Sequence, residues 1–279
     1  GTAANIVPAT GAVLPSGSRL NGEFGRVSER RSDLRSHSAQ FTVSAVPEFR
    51  VSRYYASMSY TLAKSRAQFR GFDGGAFGDP STVEWAASNL DARHQIVLQF
   101  GRIFKLFDVT VQHRMTSPLP FTPLVDADVN GDGIGFDRAF IFAPIATGPD
   151  YARECVESQV GSAAERNSCR GPWSHALNVR FSPSKKTLNT GRRISMSLNA
   201  SKMWNAVPDP VLYRVRGFDQ AAGRFIYETN PRFGDPRSTR SINRNPFRLT
   251  LDVSVNIGRN IDVQQLERYL KPGRTQPGA

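Results

Sequence analysis

The sequence predicts an all-β, antiparallel fold whose strands are long enough to cross a lipid bilayer. Three observations carry this: side chains alternate with a period of two, connections alternate between short and long, and no long apolar run occurs. The stretch "FRLTLDVSVNI" (247–257) places Phe247, Leu249, Leu251, Val253, Val255 and Ile257 on one face. Arg248, Thr250, Asp252, Ser254 and Asn256 fall on the other. Successive side chains of a strand point to opposite sides, so this reads as one strand with a wholly apolar face.

The same pattern recurs along the chain. "RRISMSLNASKMW" sets Ile194, Met196, Leu198 and Ala200 against Ser195, Ser197, Asn199 and Ser201. "FDVTVQHRM" sets Val109 and Val111 against Asp108, Thr110, Gln112 and Arg114. "SAQFTVSAV" sets Ala39, Phe41, Val43 and Ala45 against Ser38, Gln40, Thr42 and Ser44. "YYASMSYTLAKS", "RHQIVLQF" and "SHALNVRF" follow less cleanly, and "RLNGEFGRV" is the weakest. Together they make about eight strands.

Short links fall at 47–52, 101–105 and 182–191, and long links rich in Gly, Pro, Asp and Arg at 65–92, 117–172 and 206–243. Short turns alternating with long polar loops are expected of an outer-membrane barrel, with the long loops extracellular. Strands of about 9–11 residues fit a tilted membrane crossing. Periodicity alone leaves the faces ambiguous. In a soluble sandwich the apolar face is internal; in a membrane barrel it meets lipid while the polar face lines the lumen. Tyr54, Tyr55, Phe104, Phe107, Phe181 and Trp204, near strand ends, fit interfacial girdles and core edges equally. Inside the last long link, "VLYRVRGFDQAAGRFIYETNPRFG" reads as a hairpin turning at "DQAAG". "DVQQLERYLKPG" reads as a short helix capped by Asp262 and ended by Pro272-Gly273.

Composition narrows the partners. The chain has 279 residues, a net charge of +12 and a pI near 10.3, a balance suited to phosphate-bearing partners. No long basic run supports a nucleic-acid-binding arm. The chain opens on Gly rather than Met, as a processed chain or a cut fragment would. Its two cysteines, Cys155 and Cys169, are expected to close a loop as a disulfide in an oxidising compartment. The entropy model gives such a closure roughly 3 kcal/mol.

One acidic stretch, "PFTPLVDADVNGDGIGFDRAFIF" (120–142), matches a calcium loop in part. Asp126, Asp128, Asn130 and Gly131 occupy its first, third, fifth and sixth positions, with Asp132 between and Asp137 at the twelfth. Hard oxygen ligands on a glycine turn suit Ca²⁺. Asp replaces the usual final Glu, Gly133 stands where an apolar residue is usual, and no helix pattern flanks the loop. An unliganded loop held by Asx turns is the competing reading. His37, His94, His113 and His175 stand singly, without metal-ligand spacing. No nucleophile elbow or phosphate loop occurs, and Gly-rich "GFDGGAFGDP" (71–80) opens no helix. Arginines at 138, 166, 170, 214, 216, 224, 232, 237 and 240 fall in the long links, either facing anionic groups or solubilising the loops.

Several patterns occur in a fixed order: "YASMSYTLAKS", "NLDARHQIVLQF", "SPLPFTPLVDADVNGDGIGFDRAF", "ERNSCRGPWSHALNVRFS", "ASKMWNAV" and "GRFIYETNPRFG". Over residues 30–258 the chain resembles the C-terminal part of a TonB-dependent outer-membrane receptor of the Oar-like group. In that group a "SYTLSKS"-like strand precedes a "DxRH" strand. A "G-x-P-[YF]-T-P" element then leads into a "D-x-N-G-D-G…DR" loop. Ser117 here replaces the first Gly, while Pro120, Phe121, Thr122 and Pro123 keep the rest. The resemblance implies a plugged barrel of roughly 22 strands, energised by the TonB system through an N-terminal region not contained in these residues. The chain also continues past the last strand instead of stopping on an aromatic.

The expectation is therefore a barrel portion over residues 1–258 and a short periplasmic tail over 259–279. It is a non-enzymatic receptor or transporter of the outer membrane, touching lipid and lipopolysaccharide, with possible calcium and no other cofactor. A secreted calcium-binding β-sandwich adhesion module and a free-standing eight-stranded barrel are the alternatives.

Overall fold

The computed structural model describes residues 23, 29–47, 53–70, 81–129, 134–183, 194–204, 207–219, 221, 224–236 and 247–255. Among the described residues the fold is all-β apart from one short helix. In chain order the elements are β1 (Ser36–Ala45), β2 (Tyr54–Phe69), β3 (Glu84–Ala87), β4 (His94–Ile103), β5 (Phe107–Thr116), β6 (Pro120–Phe121) and β7 (Leu124–Val125). Then follow α1 (Asp150–Glu157), β8 (Cys169–Arg170), β9 (Ser174–Pro183), β10 (Ile194–Trp204), β11 (Val211–Asp219), β12 (Arg224–Thr229) and β13 (Phe247–Val255).

Seven of these form one antiparallel sheet in the order β1-β2-β4-β5-β9-β10-β13, with β3 added at the far end of β2. Each long strand pairs with the next long strand in the chain, as hairpin connections dictate. The strands at 38–46, 54–65, 93–100, 107–115, 174–181, 192–204 and 247–257 expected from alternation are all present. β2 runs to Phe69, past its expected end, because β3 gives its last residues a partner. "RLNGEFGRV" apart from Glu23, the whole 71–80 glycine stretch and the tail helix lie outside the described residues. Among the described residues the sheet does not close: β1 and β13 are its outer strands and pair with no second neighbour.

Pairing register carries the alternation across the whole sheet. One row runs Ala56–Phe100–Val111–Val179–Ala200–Leu249. The row below the opposite surface runs Ser57–Gln99–Gln112–Asn178–Ser201–Arg248. One face is thus apolar from edge to edge and the other polar. Thr42 bonds Thr61 across the polar face at 2.9 Å, Ser44 bonds Ser59 at 3.2 Å, and Asn199 bonds Asp252. Tyr55 lies on this polar face over Gly101 and reaches the Thr110 hydroxyl two strands away. A Cβ at Gly101 would collide with the Tyr55 ring, so glycine is required where the ring lies against the backbone.

The buried core lies elsewhere. Phe121, Val125, Val129, Ala139, Ile141, Ala152, Val156, Ala164, Cys169, Leu212, Tyr213 and Phe233 form one cluster. All belong to the long links after β5 and β10, which fold into a cap. In the cap β7 lies parallel to β11, β11 pairs antiparallel with β12, and β6 pairs with β8. The hairpin read from "VLYRVRGFDQAAGRFIYETN" is β11–β12. α1 begins after Pro149 with Asp150 in its first turn, a favourable place for a negative charge. Its Ala152 and Val156, four residues apart, share the face turned to the core. Gly234 has φ +77°, and a Cβ there would sit 2.5 Å from Ala152 Cβ, so the helix packs directly on that turn. Burying each of Phe233, Ile141 and Leu212 contributes about 1.5–3 kcal/mol.

Candidate functional site

The place where the cap meets the sheet gathers Glu84 and Asp91 with three arginines. Glu84 of β3 accepts from both Arg138 and Arg166, and Arg166 also lies over the Phe69 ring at 4.8 Å. Burial pushes the Glu84 carboxyl upward, but the two guanidinium hydrogen bonds outweigh it and hold it below the usual carboxylate range. Asp91, in the β3–β4 link, is almost fully buried. It accepts from the Ser65 N–H at 2.7 Å and from Arg170. Burial again raises its pKa, and the Ser65 and Arg170 bonds bring it below the usual value. Arg170 also donates to the carbonyls of Asp91 and Pro118, at 2.9 and 3.0 Å. Asn167 completes the seam, donating to Ala87 O and Asn89 Oδ1 at 2.7 Å and accepting from the Thr122 hydroxyl. Arg138, Arg166 and Arg170 are therefore clamp residues, which their place in polar links did not reveal. Arg237 and Arg240 lie outside the described residues.

Cys155 and Cys169 are paired, with Cα atoms 5.5 Å apart. The bond ties α1 to β8, the strand that also carries Arg170. Gln159 braces the same corner, donating to Cys155 O at 2.9 Å and accepting from Glu165 N at 2.7 Å.

In the acidic loop, Asn130, Gly131, Asp132 and Gly133 lie outside the described residues. Asp126 Oδ1 accepts from the Val215 N–H at 2.9 Å, which fastens the loop to β11. Asp137 is buried, and its Oδ2 accepts from the Val129 N–H at 2.6 Å. Its backbone bonds Val125 N and Ala127 O, closing the loop on itself. Both carboxylates thus serve backbone donors across the turn. Among the described residues no three His, Cys, Asp or Glu side chains gather as a metal would need. Burial, and after it the Asp137 charge, pushes the Tyr227 phenol up to about 12. Tyr227 belongs to a chain of rings with Phe142, Tyr213, Phe225 and Phe218 along one side of the β11–β12 hairpin.

Among the described residues nothing covers the apolar sheet face. Phe41 is 63 % exposed, Leu249 and Leu251 60 % each and Phe247 66 %. Aromatic groups mark both ends of the face. At the cap end Tyr60, His94 and Trp173 stack in succession, and Trp85 lies against His37. At the turn end Tyr54 meets Phe100, and Phe104 stacks on Phe107 at 4.6 Å. Tyr55, expected beside them, belongs to the polar face because it is one residue out of phase. The side chain of Trp204 lies outside the described residues. Register also joins two histidines that stand apart in sequence: His175 Nδ1 is 3.4 Å from His113 Nε2 on the apolar face.

No protein-family model, curated protein or solved structure matches this chain.

Proposed function

We propose that this chain is the C-terminal portion of an outer-membrane β-barrel of the TonB-dependent receptor type, whose apolar face meets lipid and whose polar face lines a lumen. One observation carries the reading. A seven-stranded sheet shows a largely apolar face to solvent, while the buried core of the described residues sits in the cap. A sheet in water buries one face against a second layer. Among the described residues no second sheet covers this one, which counts against the sandwich. In a bilayer the same face needs no cover, and aromatic groups belong at its two rims. The ten residues of β4 give ~34 Å along the strand and ~24 Å at a tilt of about 45°, close to the apolar band of such barrels.

The two open edges support a larger barrel, because unpaired strand edges cannot remain bare in hydrocarbon. In this reading the cap is the extracellular ligand-gathering surface, beside lipopolysaccharide. Passage would follow the Ser, Thr, Asn and Gln face, with energy supplied through the TonB system and no bond-making chemistry. The test is Leu98→Arg in the apolar face against Gln99→Arg beside it, each folded into vesicles. Leu98→Arg is expected to destabilise the inserted protein by about 2–4 kcal/mol and Gln99→Arg by much less. Equal effects would overturn the proposal.

A further inference from the structure

The bare face is not uniform. Towards its turn end it sinks into a depression of about 610 Å³, walled by Ala45, Pro47, Ala56, Met58, Phe100 and Val111. Pairing register explains the hollow. Ala45 lies opposite Met58, and Ala56 lies opposite Phe100, so small residues alternate with large ones across β1, β2 and β4. The volume is that of a site for an elongated small molecule rather than a packing gap. Its lining is mainly apolar, the polar members being Ser57, Gln99 and, at the cap-side end, His113, whose neighbour is His175.

Beyond the hollow, on the turn side, stands Arg102, two residues past Phe100 and therefore on the same face. Its guanidinium lies over the Tyr54 and Phe104 rings, 4.7 Å from each centroid, and the residue is exposed. No carboxylate is bonded to it among the described residues. Two rings hold the cation at the rim, where a planar guanidinium can receive a phosphate on two parallel N–H bonds. An apolar hollow with a cation held beyond it on the same face suits an amphiphile with an anionic head.

We propose that this groove binds one anionic glycerophospholipid of the turn-side leaflet, with an acyl chain between Ala56 and Val111 and its phosphate on Arg102. The proposal rests on the barrel reading above. It goes beyond it, since a barrel needs lipid everywhere but a selective site nowhere. Charge complementarity selects the occupant: a zwitterionic lipid offers the same chain but brings a cation of its own to Arg102.

The experiment uses the full-length protein in nanodiscs of equimolar phosphatidylglycerol and phosphatidylcholine. Lipid retained through stepwise detergent washing is counted by mass spectrometry. Wild type is expected to retain phosphatidylglycerol about tenfold more strongly than phosphatidylcholine, the gain of one charge-assisted contact. Arg102→Gln should erase the preference and keep the acyl occupancy, whereas Ala56→Phe should remove both lipids. Arg153→Gln on the cap, outside the groove, should match wild type. Equal retention of the two lipids by wild type, or an Arg102→Gln protein that keeps its preference, overturns the site. Failure to enter nanodiscs at all would instead contradict the barrel reading.

Discussion

The sheet and the cap solve opposite problems with one chain. In the cap, Leu212, Val156, Ile141 and Phe233 have no exposed surface at all. In the sheet, Phe247 and Leu251 stay more than half exposed, although their strand is the most regular in the sequence. The cap is held by its own interior and would be at home in water. Among the described residues the sheet has hydrogen bonds and side-chain ladders but no core cluster of its own, so its stability is tied to what touches its apolar face. The seam between them is polar and ionic, made by Glu84 and Asp91 against three arginines and by Asn167 against Ala87, Asn89 and Thr122.

That contrast can be broken from the cap side first. Phe233→Ala should remove about 3–5 kcal/mol of cap stability through the cavity it leaves. Hydrogen exchange should then speed up in α1, β11 and β12 and stay slow in β4, β5 and β9. Equal acceleration in both regions would mean that they unfold as one. Cys155→Ser with Cys169→Ser comes next, with an expected loss of roughly 3 kcal/mol in the same elements, read from the same exchange profile.

The seam follows. Asp91→Asn leaves the Ser65 N–H with an amide oxygen and weakens the hold of Arg170. Removing one partner of a well-buried pair costs about 3 kcal/mol, and less here because Arg170 is partly exposed. The pH dependence has a definite sign. Glu84 and Asp91 have depressed pKa values in the folded protein. Their contribution is present above the ordinary carboxylate range and is lost as pH falls through the depressed values. Acid should release the seam before the cap core, with exchange at Ser65 rising first. Tyr227 runs the other way. Its raised pKa favours the neutral phenol, so that contribution is complete below the ordinary tyrosine value and is lost as pH rises towards about 12. Tyr227→Phe should remove this alkaline step, the smallest effect of the set, as followed by cap melting.

Much of the sheet was legible because a strand writes its geometry into the chain as a period of two. "FRLTLDVSV" needs no tertiary knowledge to assign, and pairing along the chain then sets the order of the strands. The cap was not legible. Val125, Ile141, Leu212 and Phe233 come from separate loops, with no period joining them, and α1 is eight charged-rich residues too short to show one. Cys155 and Cys169 were readable only because no other cysteine competes. The clamp was hidden for a related reason: Glu84 meets Arg138 and Arg166 across 54 and 82 residues. Tyr55 was placed at the rim with Tyr54 by type, when phase decides the face.

The central claim is that lipid covers the apolar face and water the polar one. It is tested most directly by single fluorescent labels along β4, at positions 95 to 100, in the full-length protein reconstituted in vesicles. Quenchers confined to the acyl region should reach the labels at 96, 98 and 100. Water-soluble quenchers should reach those at 95, 97 and 99. Uniform quenching by the aqueous agent, or the opposite alternation, would contradict the account.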